Sequence, residues 1–406
     1  KPLVQPGDKV CLGQKIAEAQ GAVSSNIHAS ASGIVTGTER RFLPNGTVAT
    51  CIVIKNDGQD TLDPTISPRE SGLVLPPDEI RQLLADKGIV GMGGATFPTH
   101  VKYAPQNSGR IIDTVILNGI ECEPFITADY RVLIENAAEV IRGLKYFLKA
   151  SLANKGIIAI EANKPRAVEL LQQLTADEPN ISVVVCPEKY PQGSERHLIY
   201  AVTGRVVPER ALPSAVGVIV DNVATAMQAA QAVKDDLPCY ERIVTVSGNT
   251  VRKPGNYRVR IGTLYSHLVE QGALGLKNDP ARIISGGPMM GFSLHSLDFP
   301  VLKGTGGLLI FDHQSKLAQL PPENPCVRCG KCVDTCPMFL EPTQLFKAVK
   351  RRDWPAALAG HVGACIECGS CAYNCPAHIP LVQYIRMGKQ FIMTDGFGGH
   401  NPYYKK

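Results

Sequence analysis

Through the first 58 residues, apolar and polar positions alternate in short runs separated by Gly and Pro, as in Val4–Val10, His28–Thr36 and Val48–Lys55. A period of two punctuated by turn residues predicts short, half-buried strands and a small β module. Residues 61–77 are rich in Pro, Ser and Asp and predict a linker. Between 78 and 235 the pattern changes to alternating helix and strand. Helices are expected at Asp78–Lys87, Asp129–Lys149 (one long amphipathic element), Lys164–Leu174 and onward from Asn222. Buried strands are expected at Ile111–Leu117, Gly156–Glu161, Ile181–Cys186 and Gly217–Val220. Such alternation implies an α/β domain with a largely parallel sheet. From Glu241 a small α+β domain is expected, with strands at Arg242–Gly248, Gly255–Ile261 and Arg282–Ser285 and a helix near Thr263–Gln271. A cysteine-rich part follows Leu320, and a polar, Gly-rich tail begins at Asp395. The fold class is thus multidomain α/β and α+β, divided at 1–60, 61–77, 78–237, 238–312, 313–394 and 395–406.

With 406 residues, 44% hydrophobic and 19% charged, the chain has room for two to four ordinary globular domains. No run of 18 apolar residues occurs, and the best stretch, Ala215–Val233, is interrupted by Asp221 and Asn222. No secretory pattern opens the chain, which starts without Met and almost inside a strand motif. The net charge of +5 is dispersed except at Lys347–Arg352, read as the solvated face of a helix in preference to a docking patch for an acidic partner. Aromatics do not interleave with basic residues, so nucleic-acid binding has no support. His28, His100 and His197 lack ligand spacing and read as structural or surface residues.

Cysteine changes the picture. The run Cys326-Val-Arg-Cys329-Gly-Lys-Cys332-Val-Asp-Thr-Cys336-Pro recurs as Cys365-Ile-Glu-Cys368-Gly-Ser-Cys371-Ala-Tyr-Asn-Cys375-Pro. Two copies of Cys-x2-Cys-x2-Cys-x3-Cys-Pro match the spacing that holds a pair of [4Fe–4S] clusters, with the fourth cysteine of each run serving the other cluster. The expected ligands are therefore Cys326, Cys329, Cys332 and Cys375 for one cluster, and Cys365, Cys368, Cys371 and Cys336 for the second. Zinc is the competing reading, but a tetrahedral site has no use for a third evenly spaced cysteine and a trailing Cys-Pro in duplicate. The other five cysteines, Cys11, Cys51, Cys122, Cys186 and Cys239, are odd in number and scattered, which fits a reducing compartment.

A second dense motif is Gly88-Ile-Val-Gly91-Met-Gly93-Gly94-Ala95-Thr96-Phe97-Pro98-Thr99-His100-Val101-Lys102. Its glycines allow close backbone approach to a phosphate, yet as a plain dinucleotide fingerprint it fails at Thr96, and a tight turn is an equal reading. The longer string resembles the flavin and NADH loop in the flavin-carrying subunit of respiratory complex I. Three further segments match in order: Asn118-Gly-Ile-Glu121-Cys-Glu123-Pro124, Tyr190-Pro-Gln-Gly193-Ser-Glu195 and Asp221-Asn222-Val-Ala-Thr225. The N-terminal module resembles the barrel-sandwich of biotinyl and lipoyl domains, although Ala19–Ser32 contains no lysine to carry a swinging arm. With a β-grasp (SLBB-like) domain after the Rossmann-like one and a ferredoxin-like end, the whole chain resembles the RnfC family, found in Rnf ion-translocating ferredoxin:NAD oxidoreductase complexes.

The resemblance implies a non-covalent FMN held by Gly91, Gly93, Gly94, Ala95, Lys102, Asn118, Asn222 and Thr225. It implies NAD(H) as substrate, with Glu121 and Glu123 lining the nucleotide pocket, Phe97 and Tyr190 packing against flavin or nicotinamide, and Gly193 and Glu195 among the cofactor-binding residues. Two positions depart from the complex I pattern: Met92 replaces an arginine, and Ser194 the first acid of a Gly-Glu-Glu. The implied activity is NAD-linked oxidoreduction, with FMN joining two-electron hydride chemistry to one-electron clusters and no catalytic acid or base. The implied partners are the other members of a membrane electron-transport complex, one of them an iron–sulfur protein, with ferredoxin reached indirectly. The implied place is peripheral, on the cytoplasmic face. Two alternatives stand beside it: a cobalamin-reducing flavoprotein of microcompartments, which resembles the same layout, and a non-catalytic iron–sulfur relay or assembly protein with the clusters but no nucleotide site.

Overall fold

The computed structural model describes residues 1–70, 73–105, 111–209, 211–319 and 321–393. The expected tail, 395–406, lies outside them. The chain divides into two units, each with its own interior.

In the larger unit, the N-terminal module holds β1 (Lys9–Val10), β2 (Lys15–Ala17), β3 (Ile27–His28), β4 (Gly33–Phe42) and β5 (Val48–Asn56). They form a three-stranded sheet β1-β4-β5 and a β2-β3 pair around Val10, Ile16, Ala29 and Val35. Segment 61–77, expected to be a linker, is fastened along its first ten residues. Leu12 and Thr61 share a backbone hydrogen bond of 2.8 Å, Arg69 N reaches Lys234 O at 2.7 Å, and the Arg69 guanidinium pairs with Asp236 at 3.0 Å.

Next come α1 (Pro77–Asp86), α2 (Thr99–Lys102), β6 (Thr114–Gly119), α3 (Ala128–Glu135), α4 (Ala137–Ser151), β7 (Lys155–Glu161), α5 (Pro165–Leu174), β8 (Ile181–Cys186), α6 (Glu195–Thr203), β9 (Val218–Asn222) and α7 (Val223–Lys234). All pairs in the sheet are parallel, and its order is β8-β7-β6-β9. The expected single helix 129–149 is two helices. Asn136 leaves helical geometry at φ −133° and ψ 29°, a conformation an Asn side chain tolerates better than the apolar residues around it. Strand β6 begins at Thr114 rather than Ile111, which is 83% exposed.

The closing part of this unit contains β10 (Glu241–Ser247), β11 (Gly255–Arg260), α8 (Tyr265–His267), β12 (Arg282–Ser285), β13 (Phe292–Leu294) and β14 (Gly307–Phe311), in sheet order β11-β10-β14-β12-β13. Strand β14 was not foreseen. Five consecutive buried residues show no period of two, and so short an apolar run is ambiguous in sequence. The expected helix near 263–271 is only α8 followed by a π-turn over Leu268–Gly272.

The smaller unit contains α9 (Lys331–Asp334), α10 (Pro342–Lys350), α11 (Trp354–Ala359), α12 (Ser370–Tyr373) and α13 (Leu381–Met393). Leu345, Val349, Ala357, Val362 and Ile385 fill the space between the longer helices. Phe346 meets Tyr384 edge-on at 4.8 Å, and Trp354 stacks on Phe391 at 4.3 Å. Among the described residues, no helix is long and apolar enough to cross a membrane.

Candidate functional site

In the order β8-β7-β6-β9 the chain returns to the far side of β6 to lay down β9. The crevice beyond the carboxyl ends of β6 and β9 is therefore the switch point of the sheet, where open α/β folds bind ligands. Asn118 and Asn222 are register partners at that edge. The glycine loop lies against the same place. Gly91 N bonds Phe97 O at 2.8 Å and Met92 N bonds Thr225 Oγ1 at 2.9 Å, so the loop is pinned to the first turn of α7. Asn222 caps that helix, its Oδ1 accepting from Ala224 N at 2.8 Å. Residues 93–97 remain exposed, and Gly94 holds φ +112°, a conformation side chains oppose. A pinned loop with bare glycines over a capped helix N-terminus presents N–H groups and a positive dipole end to an anion.

Charge around the crevice follows. Lys102 Nζ donates to Val220 O at 2.7 Å and lies 3.5 Å from Asp221 Oδ1. Burial raises the Asp221 carboxyl, Lys102 opposes the shift, and the Tyr103 hydroxyl lies beside it. Glu195, at the start of α6, is likewise raised by burial and opposed by Lys102. Asn118 Nδ2 donates to Gly193 O at 2.8 Å and its Oδ1 accepts from Ile120 N at 3.1 Å, leaving one N–H and one lone pair for a ligand. Phe97 is 39% exposed and Tyr190 is half-buried.

The two expected nucleotide-pocket acids behave differently. Glu121 turns both carboxyl oxygens onto the start of α3, accepting from Asp129 N at 2.8 Å and Tyr130 N at 3.1 Å. Burial and then the Asp129 carboxylate push its pKa up to about 8, against those two N–H groups and Lys164. Asp129 in turn accepts from Asn222 Nδ2 at 2.6 Å, which ties this acid pair to the cap of α7. Glu123 lies against Gly287, where a Cβ would overlap its carboxyl.

Sequence reading missed Asp129, Asp221, Gln192 and Arg242. Asp221 had a signal, an acid ending a buried apolar strand just before a cap. Asp129 and Arg242 had none, because they reach the site only through folding. Arg242 is buried and directs Nη1 to Met92 O at 3.4 Å. Gln192 offers the test of fit: its Nε2 is buried with no partner beside the Asn118–Gly193 contact. An orphaned amide donor, a glycine cradle and a lysine together fit a phosphate-bearing heterocycle such as FMN.

The eight motif cysteines sit in the smaller unit. Cys336, Cys365, Cys368 and Cys371 line one small apolar pocket with Pro337, Leu345, Val382 and Ile385. Burial, then the neighbouring Cys365, Cys368 and Cys336, push the Cys371 thiol up to about 12. Cys332 is raised by burial and by Cys375. Each trailing cysteine therefore keeps company with the other run. Backbone N–H groups point at sulfur at 3.4 Å in Arg328–Cys326, Leu340–Cys336 and Glu367–Cys365. Cys365 and Cys371, both raised first by burial, resist ionisation until cations arrive to bind them. A lone zinc ion would draw its sulfurs to about 2.3 Å. Four cysteines drawn from both runs around one apolar pocket fit a cubane. Cys11, Cys51, Cys122, Cys186 and Cys239 are unbridged.

Comparison with known proteins agrees with this order. Residues 1–59 match the RnfC barrel sandwich hybrid domain, 84–231 the Nuo51 FMN-binding domain, 243–293 the SLBB domain and 324–379 the 4Fe-4S dicluster domain. The chain is 41% identical over 353 residues to a subunit of the Na(+)-translocating ferredoxin:NAD(+) oxidoreductase complex of Acetobacterium woodii, covering 87% of this chain and 79% of that one. It is 41% identical to the equivalent subunit of the proton-translocating ferredoxin:NAD(+) oxidoreductase complex of Clostridium ljungdahlii, covering 85% and 74%. It is 40% identical to the equivalent subunit of the ion-translocating oxidoreductase complex of Rhodobacter capsulatus, covering 96% and 75%. Among solved structures, a chain of an NAD+-reducing [NiFe]-hydrogenase in the H2-reduced state shares the fold, with a TM-score of 0.54 at 21% identity. That match covers 78% of this chain and spans 65% of the hydrogenase chain. The chain belongs to the RnfC family of ion-translocating ferredoxin:NAD(+) oxidoreductase complexes.

Proposed function

We propose that this chain is the NAD(H)-facing, peripheral subunit of an Rnf-type membrane complex, held at the cytoplasmic face and passing electrons between NAD(H), FMN and two [4Fe–4S] clusters. The observation that carries the reading is the coexistence of a glycine cradle at the switch point with cysteines of both runs gathered around one pocket. Partner subunits link it to ferredoxin and to ion movement. The relay without a nucleotide site does not fit a chain whose residues 84–231 match an FMN-binding domain, and the cobalamin reductase does not fit its family.

FMN, when bound, supplies the exchange between a two-electron hydride and one-electron clusters. The chain supplies position and charge. Gly91, Gly93, Gly94 and Ala95 leave room for a phosphate, and Lys102, Asn222 and Thr225 set the charge and the capped helix end beneath it. Lys102 serves as a point charge already held by Val220 O, so little side-chain entropy is lost when an anion arrives. Asn118 and Gly193 form one wall through their mutual hydrogen bond. Phe97 and Tyr190 offer rings for stacking, and Glu123 and Glu195 are acids for the nucleotide. Glu121 acts one step back, by holding α3 and, through Asp129, the cap at Asn222. No side chain is required to move a proton in hydride transfer.

The test is anaerobic purification, metal and flavin analysis, and titration with NADH. About eight irons and one releasable FMN per chain are expected, with flavin and cluster absorbance bleaching on NADH addition. Iron without flavin, together with no response to NADH, overturns the reading.

A further inference from the structure

The two cysteine runs are backbone twins. Arg328 and Glu367 occupy the same place in their runs at φ 56° and 58°, and Gly330 and Gly369 follow at 79° and 80°. Each loop then enters a four-residue helix, α9 or α12. Their surroundings differ. In the second loop Cys368, Gly369, Ser370 and Cys371 are buried, and Glu367 bonds Arg386 at 2.8 Å and Lys389 at 2.7 Å. Met289 lies over Gly369 so closely that a Cβ there would come 2.8 Å from its carbonyl oxygen. In the first loop every residue from 321 to 331 is exposed, Cys326 and Cys329 included, and a Cβ on Gly330 would meet nothing within 4 Å.

The substitutions between the twins are directional. Where the covered loop has Glu367 and Ser370, the bare loop has Arg328 and Lys331. Lys347 is an exposed cation on α10, one helical turn beyond Thr343, whose backbone N–H faces the Cys332 thiol. Lys350 is shared with Glu323 at 3.6 Å, and Asp334 is the exposed acid on α9. Val327, 66% exposed, is the apolar centre of the patch. Protein cover excludes water from one loop, and the same backbone lacks that cover on the other.

We infer that the Cys326–Lys331 loop is a docking surface for an acidic electron-carrying protein, whose carboxylates meet Arg328 and Lys331 and whose chain closes over Gly330 as Met289 closes over Gly369. The inference rests on the cluster assignment proposed above. Electron transfer needs close approach, and the exposed thiols give a partner its shortest path. Clustered cations steer an acidic partner and make its binding salt-sensitive. Cover by a partner also sets a cluster's potential through burial and hydrogen bonds to sulfur.

The experiment compares lysine acetylation, read by mass spectrometry, in the isolated holo-chain and in the purified complex. Lys331 is expected to be labelled in the isolated chain and to lose labelling in the complex. Carbodiimide coupling is expected to join Lys331 or Lys347 to Asp or Glu of another protein of the complex. The double variant Arg328→Glu/Lys331→Glu is expected to keep its iron and to leave the complex at lower salt than the parent. Equal labelling of Lys331 in both samples overturns the inference, as do couplings that land only on this chain's own acids. Iron content of the parent chain reports separately on the cluster assignment, so a failure there is not confused with failure of the docking surface.

Discussion

At the scale of single residues, charge placement decides what each side chain can do. Glu121 is the sharpest case, because its folded pKa of about 8 lies above its ordinary 4.5. Between those values the folded chain keeps a proton that the unfolded chain releases, so stability falls as pH rises through the window. Urea midpoints taken anaerobically from pH 6.5 to 8.5 are expected to drop by the equivalent of on the order of 1–3 kcal/mol, and Glu121→Gln to flatten the slope. That range avoids His28, which burial and nearby lysines lower to about 3 and whose own destabilisation begins only as pH falls below 6.5. Lys102→Ala is expected to weaken FMN binding by about tenfold or more, the loss of one charged contact, and to leave Asp221 buried without its cation. Fluorescence titration of FMN into the flavin-stripped chain measures it. The family resemblance singles out Lys102, Asn118 and Asn222, and the structure brings them to the carboxyl ends of β6 and β9. Asp129 was not legible in sequence, since its partner Asn222 lies 93 positions away.

At the scale of elements, the site depends on how closely α4 and α7 approach. Gly143 in α4 faces the Ala226 carbonyl in α7, and a Cβ there would overlap it. The facing side of α7 is correspondingly small, with Ala226, Ala229, Ala230 and Ala232 all buried. Gly143→Ala is expected to force the helices apart, lower stability by about 2–3 kcal/mol and reduce FMN occupancy through movement of α7. Thermal melts and flavin content check both. Asn222→Ala removes the cap of α7 and the donor to Asp129 together, and about 1–2 kcal/mol of stability is expected to go with them. Periodicity exposed most elements of the parallel sheet, since buried strands and amphipathic helices differ sharply in pattern. It merged α3 with α4 because an amphipathic stripe can run across a single non-helical residue. It passed over β14 because a strand buried on every side has no polar phase to read.

At the scale of the whole molecule, the crossed pairing expected of the two cysteine runs predicts a cooperative cluster-bearing unit. In that pairing each site borrows a ligand from the other run, so losses pair in a way that distinguishes it from runs that each serve their own cluster. Cys336→Ser with Cys365→Ser is expected to cost about half the iron, whereas Cys336→Ser with Cys326→Ser is expected to remove nearly all of it. Iron analysis and the spectra of the remaining cluster settle the pairing; the opposite pattern means each run serves its own cluster. The amino-acid sequence alone determined the kind of chemistry, the order of the domains, the cluster ligands expected of each run and the family resemblance. Those depend on short-range spacing, which the covalent chain fixes before folding. Only tertiary structure decided that Glu121 faces α3, that Asp129 and Arg242 stand behind the glycine loop, and that one cysteine loop is covered while its twin is bare. Those facts depend on contacts between residues tens to hundreds of positions apart, and on water being excluded from one side of a loop, which no local pattern encodes.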